Sequence, residues 1–349
     1  MGLMTGGCRK KHSFKNDYSE LAHPKVIEAL GAVGAKQFDS YGLDEYSQRA
    51  AGLMREKIGR ASADVHFVGG GTHANLLVLS SMLRPFEAVI APCSGHIFTN
   101  ETGAIEATGH KVISAAVDEG KIGPDEVEAI CHRHKNEHMV KPRVLYISQS
   151  TENGTVYTKT QLSALSDKCR SLGLYLYIDG ARLAPAVNSP ACDLSYADIA
   201  GMADAFYMGG TKNGAMFGEA VVICSDALKE CFRYNIKQRG AMLAKGAAIG
   251  AQFEALLTDG LCDKLASHAN RVARIMADGA REAGYGFMYP VETNQIFPIL
   301  PRKAADRLHE SYDFNEWGQV GDDVAVRLVA SWATPPEAAQ ELARDLLRI

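Results

Sequence analysis

The chain has 349 residues, of which 46% are hydrophobic and 22% are charged, and its formal net charge is −4. This composition is typical of one large or two ordinary globular domains with a substantial core. A mildly acidic chain lacks the basic surface that nucleic-acid binding needs, and no apolar run approaches the ~20 residues that span a bilayer. We therefore expect neither nucleic acid nor a membrane as a partner.

The N-terminal segment and the cysteines indicate the compartment. Met1–His12 carries three basic residues but no apolar core, so we interpret it as a disordered lead-in rather than a secretory signal. The eight cysteines include no C-x-x-C pair, and those in apolar runs, such as Cys224, are typical of reduced core thiols. These features predict a cytoplasmic protein.

The first third of the chain predicts a strand that runs into a glycine-rich loop. A helical pattern covers Lys25–Val33, and Asp64–Val68 is a short apolar strand. The loop Gly69–Asn75 follows, and a helix is predicted over Leu76–Leu83. Backbone amides in such a loop and the N-terminus of the next helix favour anions. Because the loop fits neither the Walker A nor the G-x-G-x-x-G spacing, it is either a tight turn or a phosphate cradle.

Strands and helices alternate through the middle of the chain. The predicted strands are Ala88–Ala91, Lys111–Ser114, Val144–Ser148, Leu174–Ile178, Ala205–Met208 and Glu219–Cys224. This alternation favours an α/β fold with a mainly parallel, doubly wound sheet. A helix predicted over Pro124–His132 continues into a histidine-rich stretch in which His134 and His138 would share a face. No carboxylate completes a zinc motif there, so we interpret the stretch as a solvated helix end and expect no metal.

Lys212 and Asp179 each follow a predicted strand and are candidates for a chemical role. Lys212 lies between two apolar strands, where burial would lower its pKa and favour the neutral amine that can hold an aldehyde as a Schiff base. The alternative is a solvated loop lysine. Asp179 ends the apolar strand Leu174–Ile178, where α/β sheets place ligand-binding groups. The alternative for Asp179 is a helix cap or a turn residue.

Pyridoxal phosphate needs four groups from a protein: a lysine for its aldehyde, an anion cradle for its phosphate, a carboxylate for its pyridine nitrogen and a group stacked on its ring. Lys212, the Gly71–Thr72 loop, Asp179 and His96 can supply them in that order. All four follow predicted strand ends, so they can converge on one edge of the sheet. Pyridoxal phosphate is therefore the predicted cofactor.

The last third of the chain predicts a smaller α+β unit. Its predicted elements are the helices Asp226–Gln238, Met242–Leu257 and Leu261–Ala283, short strands near Phe287–Tyr289, Gln295–Leu300 and Val324–Ala330, and a final helix Pro336–Leu347. We predict a large domain at residues 36–240 and a small domain formed by residues 13–35 together with 241–349.

The sequence resembles the low-specificity L-threonine aldolase and β-eliminating lyase family, on the fold-type I scaffold of the aspartate aminotransferases. The matching stretches occur in the family order and cover nearly the whole chain beyond residue 13. Each stretch alone is weak, but the ordered set is specific. The stretches are Phe14–Ser19, Tyr41–Gly42, Gly71–Asn75, His96 with Glu101, Ser150–Glu152, Asp179–Arg182, Gly209–Gly214 and Val326–Trp332. The resemblance implies a large, mixed, mainly parallel seven-stranded sheet domain, a smaller α+β domain and a homo-oligomer, either dimer or tetramer.

The resemblance also implies a role for each matching residue. Lys212 would bind the cofactor aldehyde, Asp179 would pair with the pyridine nitrogen, and His96 would stack on the ring and assist proton transfer. Tyr41 would lie on the substrate side. The phosphate ligands would be Gly71, Thr72, Thr211 and, from a neighbouring subunit, Lys245.

The implied substrate site departs from the family pattern at two positions. Arg182 and Arg327 would bind the substrate carboxylate or the phenolate side of the cofactor, although Arg327 could instead form a strand-edge salt bridge. The family's serine near the N-terminus is replaced by Asn16, whose amide could take over its contact. A family histidine is replaced by Glu152, so the catalytic base stays open between His96, Glu152 and water.

The reaction implied by the resemblance is the retro-aldol cleavage of L-threonine or L-allo-threonine to glycine and acetaldehyde. One alternative is another reaction on the same scaffold, namely β-elimination, racemisation or transamination. An alternative from a different class is a non-catalytic protein that binds a phosphate ligand or nucleotide through Gly69–Asn75.

Overall fold

The computed structural model describes residues 11–34 and 36–349. Its strands, in chain order, are β1 (His12–Ser13), β2 (Asp64–Val68), β3 (Glu87–Pro92), β4 (Lys111–Ala115), β5 (Lys141–Ser148), β6 (Tyr175–Asp179), β7 (Ala205–Gly209), β8 (Glu219–Ile223), β9 (Gln295–Ile296), β10 (Ile299–Pro301), β11 (Tyr312–Asp313), β12 (Asn315–Val320) and β13 (Asp323–Val329).

The α-helices are α1 (Pro24–Val33), α2 (Glu45–Lys57), α3 (Gly71–Met82), α4 (His96–Thr99), α5 (Pro124–Arg133), α6 (Lys159–Leu172), α7 (Leu183–Val187), α8 (Tyr196–Met202), α9 (Phe232–Gln238), α10 (Ala247–Leu257), α11 (Leu261–Glu282), α12 (Arg302–His309) and α13 (Pro336–Leu346). Short 3-10 helices cover Glu106–Thr108, Asp226–Leu228 and Thr258–Gly260. Among the described residues, no helix is long and apolar enough to cross a membrane.

The large sheet has seven strands in the order β2-β8-β7-β6-β5-β3-β4. Strand β8 is antiparallel to both of its neighbours, and the other pairs are parallel. Because helices cover both faces of this sheet, β3, β7 and β8 are buried along their whole length. The predicted α/β class and the mixed, mainly parallel seven-stranded sheet are confirmed.

Alternate side chains of the sheet enter two separate cores. Ile147, Ile178 and Phe206 pack on one face, whereas Tyr146, Tyr177 and Tyr207 pack on the other with Leu77 and Val78 of α3. The period of two along each strand produces this division. It places three tyrosines on the face that α3 covers.

The C-terminal part of the chain forms a smaller antiparallel sheet. Strands β10, β13 and β12 lie side by side, and β9 also pairs with β13. The short strands β1 and β11 pair in parallel nearby. Helices α11 and α13 pack on this sheet through a core that includes Val272, Met276, Leu328 and Leu342.

Helix α10 packs with the large sheet rather than with the small one. It contacts α2 and α1, and its Ile249, Phe253 and Leu256 belong to a core of the large sheet. The division of the chain between residues 240 and 241 stays a prediction. This packing favours a crossing point that lies after α10.

Two of the predicted long helices are shorter in the structure. The predicted Asp226–Gln238 is broken at Cys231, whose φ of +60° is left-handed, so only α9 is α-helical. The predicted Met242–Leu257 begins at Ala247, because residues 242–246 form a loop. A Cβ at Gly246 of this loop would lie 2.4 Å from the backbone nitrogen of Gly42, so the two loops are in direct contact.

Several short elements were missed or misplaced. The strands β11 and β12 and the helix α12 were not predicted. The sequence of β12, NEWGQV, is largely polar, and its pairing with β13 orders it. The predicted strand Phe287–Tyr289 is a single bridge between Phe287 and Pro298. Helix α5 ends at Arg133, so His134 and His138 do not share a helix face. Of the predicted disordered lead-in, residues 1–10 lie outside the described residues, and His12 belongs to β1.

Two glycines let the loops after β6 and β7 touch. A Cβ at Gly180 would lie 1.8 Å from the carbonyl oxygen of Tyr207, and a Cβ at Gly209 would lie 2.4 Å from that of Ala181. Real Cβ atoms do not approach so closely, so both positions require glycine. The contact brings Asp179 and Lys212 to neighbouring points of the sheet edge.

We expect Gly180→Ala to destabilise the protein by about 2–3 kcal/mol or more, because the β6 and β7 loops must separate. The matched control is Gly201→Ala in α8, where a Cβ would meet no atom within 4 Å. Since alanine favours helix over glycine by about 1 kcal/mol, this control should be as stable as the parent or more so. Thermal melting of the purified proteins compares them; equal melting temperatures for both variants would contradict the close contact.

Candidate active site

A cavity of about 560 Å³ opens at the sheet edge where the parallel strands end. The turn between β2 and α3, the end of β6 and the connection between β7 and β8 form its walls, and the small sheet closes one side. The lining includes Tyr18, Gly69–Thr72, His96, Glu152, Asp179, Arg182, Tyr207, Thr211, Lys212, Glu219, Trp317 and Arg327. The ends of parallel strands are where α/β sheets bind ligands.

Lys212 lies in the tight connection between β7 and β8. The backbone nitrogen of Gly210 donates to the carbonyl of Gly218 at 3.1 Å, which closes this connection. Burial lowers the pKa of Lys212, and the positive charge of Arg182 lowers it further. Both effects favour the neutral amine, which is the nucleophilic form.

The carboxylate of Asp179 is buried and accepts four hydrogen bonds from uncharged groups. Burial alone would raise its pKa, but the hydrogen bonds more than offset this and hold the pKa below the ordinary value. An ionised carboxylate is thus kept in a buried site, ready for a cationic partner. The donors are the hydroxyls of Tyr207 (2.5 Å) and Tyr146 (2.7 Å), the amide of Asn75 (3.0 Å) and the backbone nitrogen of Ala181 (3.0 Å).

Strand register explains why these donors surround Asp179. Tyr146 pairs with Tyr177 across β5 and β6, and Asp179 lies two residues beyond Tyr177 on the same face. Tyr207 lies two residues beyond Ala205, which pairs with Tyr177. These tyrosines were not predicted as site residues from the sequence. Their spacing of two from the strand ends was the signal that could have found them.

Asn75 connects Asp179 to His96. Its amide nitrogen also donates to Glu101 at 2.7 Å, and its carbonyl oxygen accepts from the Tyr177 hydroxyl at 3.0 Å. Glu101 in turn contacts His96 Nδ1 at 2.8 Å. Burial would lower the pKa of His96, but the hydrogen bond with Glu101 and the charges of Glu152 and Asp179 raise it overall.

Helix α3 starts at Gly71, five residues before the predicted start at Leu76. The N-terminus of α3 therefore lies at the cavity, with Gly71 and Thr72 in the lining. A Cβ at Gly71 would come within 3.0 Å of the Tyr207 hydroxyl, so a side chain would crowd this corner. Free amides at a helix N-terminus and a hydroxyl are donors suited to a phosphate.

The two predicted arginines have different surroundings. Arg182 is buried and donates twice to Asp17, at 2.7 and 3.0 Å, and Asn294 also donates to Asp17 at 3.0 Å. Arg327 donates to the Lys15 carbonyl at 3.1 Å. Its Nε is buried without a hydrogen-bond partner in the described residues. Burial and the nearby charge of Arg182 lower the pKa of Arg327. The negative charge of an incoming anion would stabilise the charged guanidinium.

Three predicted site residues do not line this cavity, whereas Glu152 does. The side-chain oxygen of Asn16 accepts from the Tyr18 nitrogen and the Ser19 hydroxyl, which ties it to its own turn. Tyr41 lines a separate groove. Lys245 is exposed on the loop next to Tyr41, since the Tyr41 nitrogen donates to the Ala244 carbonyl at 3.0 Å.

The residues present fit pyridoxal phosphate. A buried, ionised carboxylate with only neutral donors suits a protonated pyridine nitrogen, and the lysine with a lowered pKa suits the aldehyde. The N-terminus of α3 and Thr211 suit the phosphate. His96 borders the same cavity, as a ring-stacking group requires.

Comparisons with known proteins show the family of the chain. A profile of the family described as beta-eliminating lyase matches residues 23–302. A low specificity L-threonine aldolase of Pseudomonas aeruginosa is 33% identical over 95% of each chain. Another, from a Pseudomonas species, is 34% identical over 95% of each chain.

Solved structures give the same result for the fold. A Leishmania major threonine aldolase is 46% identical, with a TM-score of 0.95 over 97% of this chain and 99% of that one. An aspartate aminotransferase of Thermus thermophilus is 17% identical, with a TM-score of 0.72 over 97% of this chain and 91% of that one. The second similarity concerns the fold alone, and it confirms the expected aspartate aminotransferase-like, fold-type I scaffold.

Proposed function

The chain belongs to the beta-eliminating lyase family, and we propose that it cleaves the Cα–Cβ bond of L-threonine or L-allo-threonine, giving glycine and acetaldehyde. The observation that carries this proposal is one cavity that holds Lys212, the ionised Asp179 and two arginines. The relatives named threonine aldolase support the choice of reaction. When bound, pyridoxal phosphate supplies a ring that accepts the electron pair left at Cα.

Lys212 and Asp179 hold the two ends of the cofactor ring in this proposal. The neutral amine of Lys212 would hold the aldehyde of the cofactor. The carboxylate of Asp179 keeps the proton on the pyridine nitrogen, because four neutral donors stabilise its negative charge. A charged ring nitrogen makes the ring a better electron acceptor.

Arg327 is the better candidate for the substrate carboxylate. Arg182 already uses two nitrogens on Asp17. Arg327 keeps an unpartnered Nε in the described structure and lies over the Trp317 ring at 5.0 Å. Holding the carboxylate there would fix the substrate so that its Cα–Cβ bond can stand across the ring plane. Arg182 would then serve the phenolate side of the cofactor.

His96 is proposed to accept the proton of the β-hydroxyl group. Because Nδ1 faces Glu101, Nε2 is the nitrogen left to face a substrate. Removing the hydroxyl proton lets the Cα–Cβ bond break and releases the aldehyde. Glu152 borders the same cavity and is the competing base, and water is the third option.

Other reactions on this scaffold differ in their products. β-Elimination, racemisation and transamination would give a keto acid, the opposite enantiomer or an amino-group transfer, whereas retro-aldol cleavage gives glycine and an aldehyde. Product analysis with L-threonine, L-serine and L-cysteine separates these reactions. A non-catalytic phosphate-binding protein is not favoured, since it has no use for Lys212 and Asp179 in the same cavity.

We propose that a second copy of the chain completes the site. Tyr41 and Lys245 belong to the family pattern but lie together on a loop pair outside their own chain's cavity. A dimer, or a tetramer built from dimers, could bring this pair to the phosphate of a neighbouring subunit. Glycine formation in the cytoplasm is the setting we propose for the enzyme.

Lys212→Ala should abolish glycine formation from L-threonine, because among the described residues Lys212 is the one lysine that lines the cavity. Borohydride reduction of the unmodified protein should leave the cofactor attached to Lys212, as peptide mass analysis can show. The matched control is Lys264→Ala on the exposed surface of α11, which should keep its activity. Full activity in Lys212→Ala, or a label on another lysine, would overturn the assignment.

The acid side of the pH profile tests His96 as the base. Neutral His96 is present above its pKa, so kcat/KM should fall as the pH drops through that value. Glu101 raises the pKa of His96, hence Glu101→Gln should move this fall to lower pH. The matched control, Glu106→Gln, is exposed and should leave it in place. If Glu101→Gln has no effect and Glu152→Gln removes the fall, Glu152 is the base.

Mixing two inactive variants tests the shared site. Lys212→Ala and Lys245→Ala should each be impaired, but a mixed dimer would contain one site with both lysines intact. Random pairing should therefore restore about a quarter of the parent rate if the dimer is two-fold symmetric. Rates that stay at the sum of the separate variants after unfolding and reassembly together would argue for a site built from one chain.

A further inference from the structure

Glu219 is a buried carboxyl group inside the site that the proposed mechanism does not use. It is the first residue of β8, where it pairs with Val68 of β2 on one side and Gly209 of β7 on the other. Only 5% of the residue is exposed, yet it lines the cavity beside Thr211 and Lys212. Glu219 thus borders the same cavity as Gly71, Thr72 and Thr211, which are proposed to bind the phosphate.

Two groups of the Lys212 loop bind the two oxygens of Glu219. The backbone nitrogen of Gly210 donates to Oε2 at 2.8 Å, and the hydroxyl of Thr211 lies 2.8 Å from Oε1. The same hydroxyl oxygen accepts from the backbone nitrogen of Gly218 at 3.1 Å. The Thr211 hydroxyl therefore lies between the Gly218 nitrogen, which can only donate, and the carboxyl group of Glu219.

The direction of the Thr211 hydrogen depends on whether Glu219 carries a proton. A hydroxyl has one hydrogen to donate and can accept two. If Glu219 is ionised, only the Thr211 hydrogen can fill the 2.8 Å contact, and the hydroxyl has nothing left to donate to a phosphate. If Glu219 is protonated, it donates to Thr211, and the hydrogen of Thr211 is free to point into the cavity.

The surroundings of Glu219 bring its titration close to neutral pH. Burial raises its pKa, the hydrogen bonds from Thr211 and Gly210 and the charge of Lys212 oppose this, and the charge of Asp179 adds to it. The resulting pKa is about 7, so the protonated and ionised forms are both present near neutral pH. The phenols of Tyr177 and Tyr207 also face Glu219 and stay neutral, since burial raises their pKa values. A bound phosphate would add negative charge nearby and favour the proton further.

We propose that Glu219 is a positioning residue that carries a proton and thereby turns the Thr211 hydroxyl hydrogen toward the cofactor phosphate. The inference rests on the phosphate role proposed for Thr211. It makes cofactor affinity depend on pH: the donor is available while Glu219 is protonated and is lost as the pH rises and Glu219 ionises. Ionisation would also place a negative charge beside the phosphate.

Glutamine at this position imitates the protonated acid. In Glu219→Gln, the amide nitrogen can donate to the Thr211 oxygen, and the amide oxygen can accept from the Gly210 nitrogen. This variant should therefore hold the Thr211 hydrogen toward the phosphate at every pH. Both proteins contain the cofactor phosphate and Lys212, so a pH dependence that is present only in the parent comes from Glu219, through either its hydrogen bond or its charge.

The experiment measures free pyridoxal phosphate after ultrafiltration of dilute holoenzyme across a pH series. Relative to Glu219→Gln, the parent should lose affinity as the pH rises, by roughly tenfold between about pH 6.5 and about pH 8.5. Glu106→Gln, a surface change of the same kind, should behave as the parent. Equal profiles for the parent and Glu219→Gln would overturn the inference while leaving the cofactor site intact. A parent that holds no cofactor at any pH would instead overturn the proposed function.

Thr211→Val separates orientation from charge and also decides the matter if Glu219→Gln does not fold. Losing the hydroxyl should weaken cofactor binding several-fold at low pH, where the hydrogen points to the phosphate, and much less at high pH. If Thr211→Val weakens binding equally throughout the pH series, Glu219 does not direct this hydroxyl. A Glu219→Gln effect of undiminished size in the Thr211→Val background would likewise overturn the proposal, because Glu219 would then act only through its charge.

Discussion

The ionised carboxylate of Asp179, buried at the end of β6, is the constraint on which the rest of the site depends. A buried charge loses its hydration, so the protein must replace the water with donors of its own. Here the replacements are neutral: two phenols from neighbouring strands, the Asn75 amide and a backbone nitrogen. The register of β5, β6 and β7 and the placement of α3 bring these donors to the carboxylate. Through Asn75 the same carboxylate also fixes Glu101 and, with it, His96.

The charges around the cavity form a consistent pattern. Arg182 is largely compensated by Asp17, which leaves Lys212 and Arg327 facing the space with lowered pKa values. An anion entering such a space gains from both. In the proposed phosphate site, formed by Gly71, Thr72 and Thr211, a neutral Glu219 would add no negative charge, whereas an ionised Glu219 would oppose a phosphate. The proposed phosphate site and Arg327 would together accommodate the two anionic groups of a cofactor-bound amino acid.

Much of this arrangement could be predicted from the sequence, and the part that could not has a clear physical origin. Lys212, Asp179 and His96 follow apolar runs, and parallel strands gather their ends at one edge, so these three residues were predicted to converge. Tyr146, Tyr207 and Glu219 lie inside apolar runs, where a tyrosine reads as core and a glutamate as the start of a strand. The strand register shows that the two tyrosines reach Asp179, and the fold shows that Glu219 borders the cavity. The polar strand β12 was missed for a related reason, since its partner β13, rather than its own pattern, orders it.

The positions of Tyr41 and Lys245 show the limit of reading an ordered motif as a single-chain site. Close contact between Gly42 and Gly246 joins the two loops that carry Tyr41 and Lys245, and neither residue lines the cavity of its own chain. Within that cavity, the donors proposed for the phosphate are neutral: the N-terminus of α3, Thr72 and Thr211. The lysine and the two arginines that line this cavity, Lys212, Arg182 and Arg327, are proposed to serve the aldehyde, the phenolate side of the cofactor and the substrate carboxylate. In the proposed dimer, Lys245 of a second copy would then be the cationic partner of the phosphate.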